Sequence, residues 1–183
     1  MHTSLPSRAV QRLRHPLKAR HISVQRAQRI SPHFVRVRFA GNELGDFISA
    51  SFDDHLKLLL PGADGQPPVL PRFDTDGTQP SAPRPPMRDY TPRWFDTARG
   101  LLDIEFALHG PGPAANWAAQ ARPGQILGVA GPRGSFVVPL DFDWHLLIGD
   151  ESALPAIARR LEELPAGVPA IVLIETADPA DRR

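Results

Sequence analysis

The chain has 183 residues, of which 42% are hydrophobic, and a formal charge of +1 from 21 Lys+Arg against 20 Asp+Glu. It is long enough for one large domain, or one domain and part of another, with a sizeable core, and its near-neutral charge gives no reason to expect nucleic acid or an anionic membrane as partner. It contains no cysteine, which excludes disulfides, thiolate zinc sites, iron–sulfur clusters and cysteine nucleophiles and is compatible with a reducing cytoplasm.

Residues 1–18 are basic, with Arg8, Arg12, Arg14 and Lys18, but hold no apolar run long enough for a signal peptide. They read as a flexible, solvated terminus. No window approaches the length of a membrane-spanning helix, so no membrane insertion is expected. From His33 to Phe39, Val35, Val37 and Phe39 alternate with Arg36 and Arg38, the period of a half-buried strand. A second strand is predicted over His55–Leu60, with Lys57 on the face opposite Leu56 and Leu58. Residues 61–86, rich in proline and glycine and including Asp74 and Asp76, read as a long loop, and such loops are usually functional or mobile.

The stretch Met87-Arg88-Asp89-Tyr90-Thr91-Pro92-Arg93-Trp94-Phe95 follows. In an extended strand Arg88 and Tyr90 share one face and Asp89 and Thr91 the other, until Pro92 interrupts the ladder. An arginine beside a tyrosine suits a ligand with a phosphate to clamp and a flat ring to cover. The same pattern also fits an edge strand with a solvated arginine and a half-buried tyrosine. Leu102, Ile104, Phe106 and Leu108 then alternate with Asp103, Glu105 and Ala107 as another one-sided strand. Gly112 to Ala121 is alanine-rich, with Pro113 at a first helical position and Pro123-Gly124 beyond the end; a short helix is predicted there, its free N–H groups suited to a phosphate. Strands are predicted over Ile126–Ala130 and Phe136–Val138, flanking the Gly131-Pro132-Arg133-Gly134 turn. Many short strands with one short helix indicate a small antiparallel barrel.

From Trp144 the pattern changes. An apolar run at His145–Ile148, a helical period over Ala153–Leu164 and an apolar strand over Pro169–Ile174 are the opening of a parallel α/β domain. In that helix Leu154, Ile157, Ala158 and Leu161 lie on one side, and Arg159, Arg160, Glu162 and Glu163 on the other. Only two strands of this domain are written, so it reads as truncated. The expected division is a flexible N-terminus at 1–18, a barrel at 19–141 and a partial α/β domain at 142–183.

The string Arg88-Asp89-Tyr90-Thr91-Pro92-Arg93 resembles the R-x-Y-[ST] flavin signature of the ferredoxin-NADP reductase superfamily. Three further motifs accompany it in order: His109-Gly110-Pro111-Gly112-Pro113-Ala114-Ala115-Asn116-Trp117, Gly131-Pro132-Arg133-Gly134, and Gly149-Asp150-Glu151-Ser152-Ala153-Leu154-Pro155-Ala156-Ile157. Together they resemble the siderophore-interacting protein family, FAD-containing, NAD(P)H-dependent ferric-siderophore reductases, over about Ala19 to Leu173. The resemblance implies an all-β antiparallel Greek-key barrel of ferredoxin-reductase type followed by the start of an α/β nucleotide-binding domain.

On this resemblance Arg88 binds the FAD pyrophosphate, Tyr90 lies along the flavin, and Thr91 hydrogen-bonds near its reactive nitrogen. Ala114, Ala115 and Asn116 supply backbone N–H groups to the diphosphate, with His109 and Gly110 nearby. Asp89, Arg93, Gly112, Pro113 and Trp117 complete the expected cofactor-binding set. Asp150, Glu151, Ser152, Ala153 and Pro155 would face the nicotinamide nucleotide. Family members continue to a C-terminal aromatic and basic segment that closes over the flavin. Lys57 and Arg133, beside the flavin motifs, are the candidates for contact with an anionic ferric siderophore; both also fit as solubilising charges. Glu175, at the end of the second parallel strand, stands where an acidic residue often meets an adenosine ribose, and is expected to be a solvated charge. The expected function is cytoplasmic ferric-siderophore reduction by a monomer, with FAD as cofactor, NAD(P)H as co-substrate and no resident metal. The alternatives are an FAD-binding remnant without NAD(P)H turnover, a general flavin reductase or electron transferase, and an interaction barrel without cofactor.

Overall fold

The computed structural model describes residues 8–62, 64–73, 87–108, 110 and 112–182. Asp74, Asp76, His109 and Pro111 therefore lie outside the described residues. The alternation of Val35, Val37 and Phe39 builds β3 (Phe34–Ala40), and that of Leu102, Ile104 and Phe106 builds β7 (Leu101–Ala107). All six of these side chains are buried. With β2 (Ala19–Ser31), β4 (Leu56–Leu59), β5 (Met87–Tyr90), β6 (Trp94–Asp96) and β8 (Ile126–Ala130) they form a seven-stranded sheet in the order β5-β4-β8-β2-β3-β7-β6. Every neighbouring pair in it is antiparallel. β8 returns late in the chain to lie between β2 and β4, the long crossing of a Greek key. The sheet rolls up, because β5 at one end meets β7 near the other through the rings of Tyr90 and Phe106, 4.6 Å apart. The result is the antiparallel barrel expected from the strand pattern.

Two features of the barrel depart from the simple pattern. β2, the longest strand at 13 residues, shows no clean alternation in the sequence. Its pairing with β3 shifts register between Val24 and Arg26 and again between Arg29 and Ser31, and each bulge resets which side chains face inward. Moreover Arg20 is only 4% exposed; its guanidinium donates to the Glu43 carbonyl (2.8 Å) and to Asp46 (2.7 Å). The hydrogen bonds from Arg20 and Lys18 pull the Asp46 carboxyl down to about 2. On the outer face of β7, Asp103 and Glu105 are also buried, because Arg38 and Arg36 stand opposite them in register and each donates two hydrogen bonds, at 2.6–3.0 Å.

The basic terminus is not frayed throughout. Gln11–Arg14 is a strand, β1, paired antiparallel with β9 (Gly134–Val137). The guanidinium of Arg12 lies 5.4 Å over the Phe136 ring. A side chain at Gly134 would stand 2.4 Å from the Leu13 carbonyl oxygen, so this pairing requires glycine there.

The predicted strand–helix–strand is present as β10 (His145–Asp150), α2 (Leu154–Glu163) and β11 (Ala170–Glu175), with β10 and β11 parallel. Helix and strand approach closely at Gly149, where a Cβ would fall 2.5 Å from that of Ala153. The helix does not keep to its expected faces. Arg159 and Arg160 are buried at 8% and 3% exposure, whereas Leu161 is 42% exposed. The reason is the barrel surface beneath, which presents main-chain oxygens. Arg160 donates to the carbonyls of Val138 (3.1 Å) and Pro139 (2.7 Å), and Arg159 to those of Pro92 (3.0 Å) and Ser49 (3.1 Å).

A second seam lies at the short helical turn Pro179–Asp181. The buried Asp181 carboxylate accepts from Ser31 Oγ (2.6 Å), His33 N–H (3.0 Å) and His33 Nδ1 (2.9 Å). Burial pushes this carboxyl up, but the hydrogen bonds from Ser31 and His33 together hold it below the usual range. Asp181→Ala is expected to lower stability by about 2 kcal/mol at neutral pH, since it removes three hydrogen bonds to a buried carboxylate. A depressed carboxylate stabilises above its unfolded pKa and loses that contribution as pH falls through the folded value. The urea midpoints of wild type and variant should therefore converge in acid.

Candidate functional site

Tyr90 ends β5 with its ring turned into the barrel against Phe106, and Phe106 also meets Trp117 of α1 (Pro113–Ala119) at 5.7 Å. Trp117 in turn stacks on Phe39 at 6.2 Å. These aromatic contacts bring the end of β5 and the start of α1 together, and between them lies a cleft of about 500 Å³. Arg88, Tyr90 and Thr91 line it from β5, and Gly112, Pro113, Ala114 and Ala115 line it from α1. Glu151, Ser152 and Pro155, from the turn into α2, close the third side. Three of the four sequence motifs thus meet at one place.

The geometry suits a flat anionic dinucleotide. Arg88 is exposed to the cleft and its Nη1 donates to the Met87 carbonyl (2.9 Å), a neutral acceptor that leaves the positive charge available. The first-turn amides of Ala114 and Ala115 have no intrahelical acceptor, and nothing would meet a Cβ at Gly112 within 4 Å, so a phosphate can approach the backbone. Tyr90 is half-buried, and burial pushes its phenol up to about 12. Its ring lines the cleft as an aromatic face. These residues fit an FAD diphosphate and ring.

Other expected site residues lie elsewhere. Arg93 is turned away from the cleft by Pro92. It is 7% exposed, donates from both Nη1 and Nη2 to Glu162 of α2, and its Nε lies 3.5 Å from Glu105. The Glu162 hydrogen bond raises its pKa further, and its guanidinium is committed to α2 rather than to the cleft. Trp117 is packed into the barrel core, its Nε1 buried without a hydrogen-bond partner among the described residues. Asn116 and Gly110 do not line the cleft, and His109 lies outside the described residues. Asp89 lines the cleft but is held by Lys57 at 2.8 Å. Asp150 caps the turn, accepting from Ser152 N–H (2.8 Å) and Oγ (2.6 Å), and Ala153 packs beneath Gly149. Glu175 is exposed at the end of β11.

Lys57 and Arg133 are exposed and do not line the cleft. They are neighbours of its rim, since Lys57 stands opposite both Asp89 of β5 and Ala130 of β8, three residues before Arg133. The cleft also uses Phe34, Asp53, His55, Glu105 and Ala107, none of them singled out by sequence. Their convergence depends on the rolling of the sheet, for which linear spacing carries no signal. Burial pushes the Asp53 carboxyl up, opposed by the neighbouring His55.

Residues 23–136 match the siderophore-interacting FAD-binding domain family, and residues 142–183 match the siderophore-interacting protein family. The chain is 48% identical over 155 residues to the NADPH-dependent ferric-chelate reductase of Escherichia coli, covering 84% of this chain and 60% of that protein. It is 33% identical over 158 residues to the ferric vibriobactin reductase of Vibrio cholerae, covering 86% and 58%. A siderophore utilization protein from T. fusca shares the fold with a TM-score of 0.87 at 41% identity, over 96% of this chain and 67% of that one. The chain thus spans about three fifths of the length of the curated relatives it matches.

Tyr90 is the only tyrosine, so phenolate absorbance reports this group alone. In the protein without cofactor its titration midpoint is expected near 12, against 10 for an exposed phenol. A midpoint at 10 would contradict the burial of the Tyr90 ring. Because the phenol is raised, stability should fall as pH climbs from the unfolded value through the folded one.

Proposed function

The chain belongs to the siderophore-interacting protein family, and from that membership we propose that it carries the flavin site of an NAD(P)H-dependent ferric-siderophore reductase working in the cytoplasm. The observation that carries this reading is the convergence of Arg88, Tyr90 and the first turn of α1 on one cleft, with the turn into α2 facing them. FAD, when bound, supplies acceptance of a hydride from nicotinamide and delivery of single electrons to ferric iron.

The protein's own residues bind and orient. Arg88 and the amides of Ala114 and Ala115 share the charge of the diphosphate. Tyr90, half-buried against Phe106, covers the ring. Thr91 presents its hydroxyl at the ring edge, and Glu151, Ser152 and Pro155 receive the nicotinamide nucleotide. Lys57 and Arg133 at the rim attract an anionic ferric siderophore. Ferrous iron is held less tightly by hard oxygen chelators, so reduction releases it.

The test begins with a spectrum of the purified protein and FAD titration of the apoprotein. Binding of one FAD is expected; a protein that stays colourless in excess FAD is the cofactor-free barrel. Arg88→Ala should weaken FAD binding about 10- to 100-fold, the loss of charge-assisted hydrogen bonds to a diphosphate, read by flavin fluorescence. Anaerobic NADPH or NADH should bleach the bound flavin, whereas no bleaching with either identifies an FAD-binding remnant. Photoreduced protein should reduce a ferric siderophore, detected with a ferrous trap. Lys57→Glu with Arg133→Glu should slow that step by about tenfold at low salt through lost electrostatic attraction. An unchanged rate removes both residues from the substrate site.

A further inference from the structure

Arg159 and Arg160 are buried on the face of α2 that the sequence pattern assigns to solvent, and the reach of Arg159 is specific. Its Nη1 donates to Ser49 Oγ (2.7 Å) and to the Pro92 carbonyl (3.0 Å), and its Nη2 to the Ser49 carbonyl (3.1 Å). Nε donates to Glu163 (2.8 Å), and the guanidinium lies 5.8 Å over the Phe95 ring. Ser49 is anchored beneath by the buried Asp54 carboxylate (2.9 Å). Pro92 is the residue after Thr91. The next residue, Arg93, is held by Glu162 of the same helix. Thus α2 grips both residues that follow the flavin-facing end of β5.

The same helix begins at the cleft. Pro155 lines it, and Arg159 lies one turn further on, roughly 6 Å along the axis. One rigid element therefore touches the cleft wall at Glu151–Pro155 and the main chain beside Thr91. We propose that Arg159 is a positioning residue that fixes the spacing between the turn Glu151–Pro155 and the end of β5 at Tyr90 and Thr91. It rests on the assignment of those segments to nucleotide and flavin.

Spacing is what a hydride transfer needs: donor and acceptor must meet at about 3–3.5 Å, and a misplacement of about 1 Å costs on the order of 100-fold. A helix seated only by apolar contacts can slide. A planar guanidinium that donates in fixed directions to Ser49 and Pro92 cannot, without leaving carbonyl oxygens unpaired. Methionine at 159 would fill the space but supply no donor.

The test compares Arg159→Met with Arg159→Lys in the whole chain, with Glu162→Gln as a milder release of the same segment should the methionine variant fail to fold. The first readout is the phenol titration of Tyr90 in the apoprotein. In Arg159→Met the midpoint should fall from about 12 toward 10, and Arg159→Lys should recover most of the loss. A purely structural role would lower the melting temperature and leave the midpoint in place. With FAD bound, anaerobic reduction by NADPH should slow about tenfold or more in Arg159→Met, while reoxidation of photoreduced protein by ferric citrate changes by less than about twofold. An unchanged phenol midpoint, or equal slowing of both half-reactions, overturns the proposal. A wild-type protein that binds FAD but is not bleached by NADPH defeats the functional reading instead, and the phenol shift still decides whether Arg159 holds β5.

Discussion

The site depends on one ring. Phe106 lies against both Tyr90 and Trp117, at 4.6 and 5.7 Å, and so joins the edge strand β5, the strand β7 and the helix α1. Aromatic pairs of this kind contribute about 0.5–1.5 kcal/mol each beyond the area they bury. The geometric consequence matters more than the energy. Tyr90 cannot pack on Phe106 unless β5 curls over the barrel mouth, and Trp117 cannot unless α1 caps the same mouth. Arg88, two residues from Tyr90, and Ala114, three from Trp117, are then brought to opposite walls of one cleft. Core packing determines where the polar groups of the site stand.

The attachment of the second unit obeys different physics. Its seam with the barrel includes three buried guanidiniums and a buried carboxylate. Taking such charges from water is unfavourable unless each finds directed partners, and each does. Arg160 satisfies two carbonyls after β9, Arg159 satisfies Ser49 and Pro92, Arg93 meets Glu162, and Asp181 gathers three donors at the β2–β3 turn. Directed bonds of this kind fix one relative placement, whereas an apolar seam of equal area would admit neighbouring ones. The outer side of the two-stranded sheet contrasts with this seam. Leu146, Ile148, Ile171 and Leu173 are all exposed there.

What the sequence discloses follows the same division. Strands that bury one face by simple alternation, β3 and β7, are readable to within a residue or so. α1 is readable from Pro113 at its start, and the cleft-lining end of β5 from Arg88 and Tyr90. β2 is not readable, because its two bulges reset the alternation and its inward-facing Arg20 reads as solvent-exposed. β1 is hidden for a related reason: Gln11 to Arg14 are all exposed, and only pairing with β9 gives them structure. α2 misleads more seriously. Amphipathic reading assigns arginines to water, and nothing in the helix itself reveals that unpaired carbonyls wait on the surface it meets. Arg93 shows the same limit at single-residue scale, since its neighbour Arg88 is chemically identical and only Pro92 separates the cleft from the seam.

The charges around the cleft complete the electrostatic argument. A site for an anionic dinucleotide should not be rimmed by free carboxylates, yet Asp89, Glu105 and Glu151 all line it. Strand alternation turns Asp89 to the face of Lys57, which pairs with it at 2.8 Å. Glu105 is covered by Arg36 at 2.6 Å and approached by Arg93 at 3.5 Å. Glu151 accepts the Ala177 N–H at 3.1 Å. Asp53 remains exposed, with partial burial pushing its carboxyl up and His55 opposing that shift. Two of these carboxylates are paired with a cation of the fold, and a third accepts a backbone N–H. Arg88, exposed to the same cleft, adds a positive charge that the paired carboxylates Asp89 and Glu105 do not cancel.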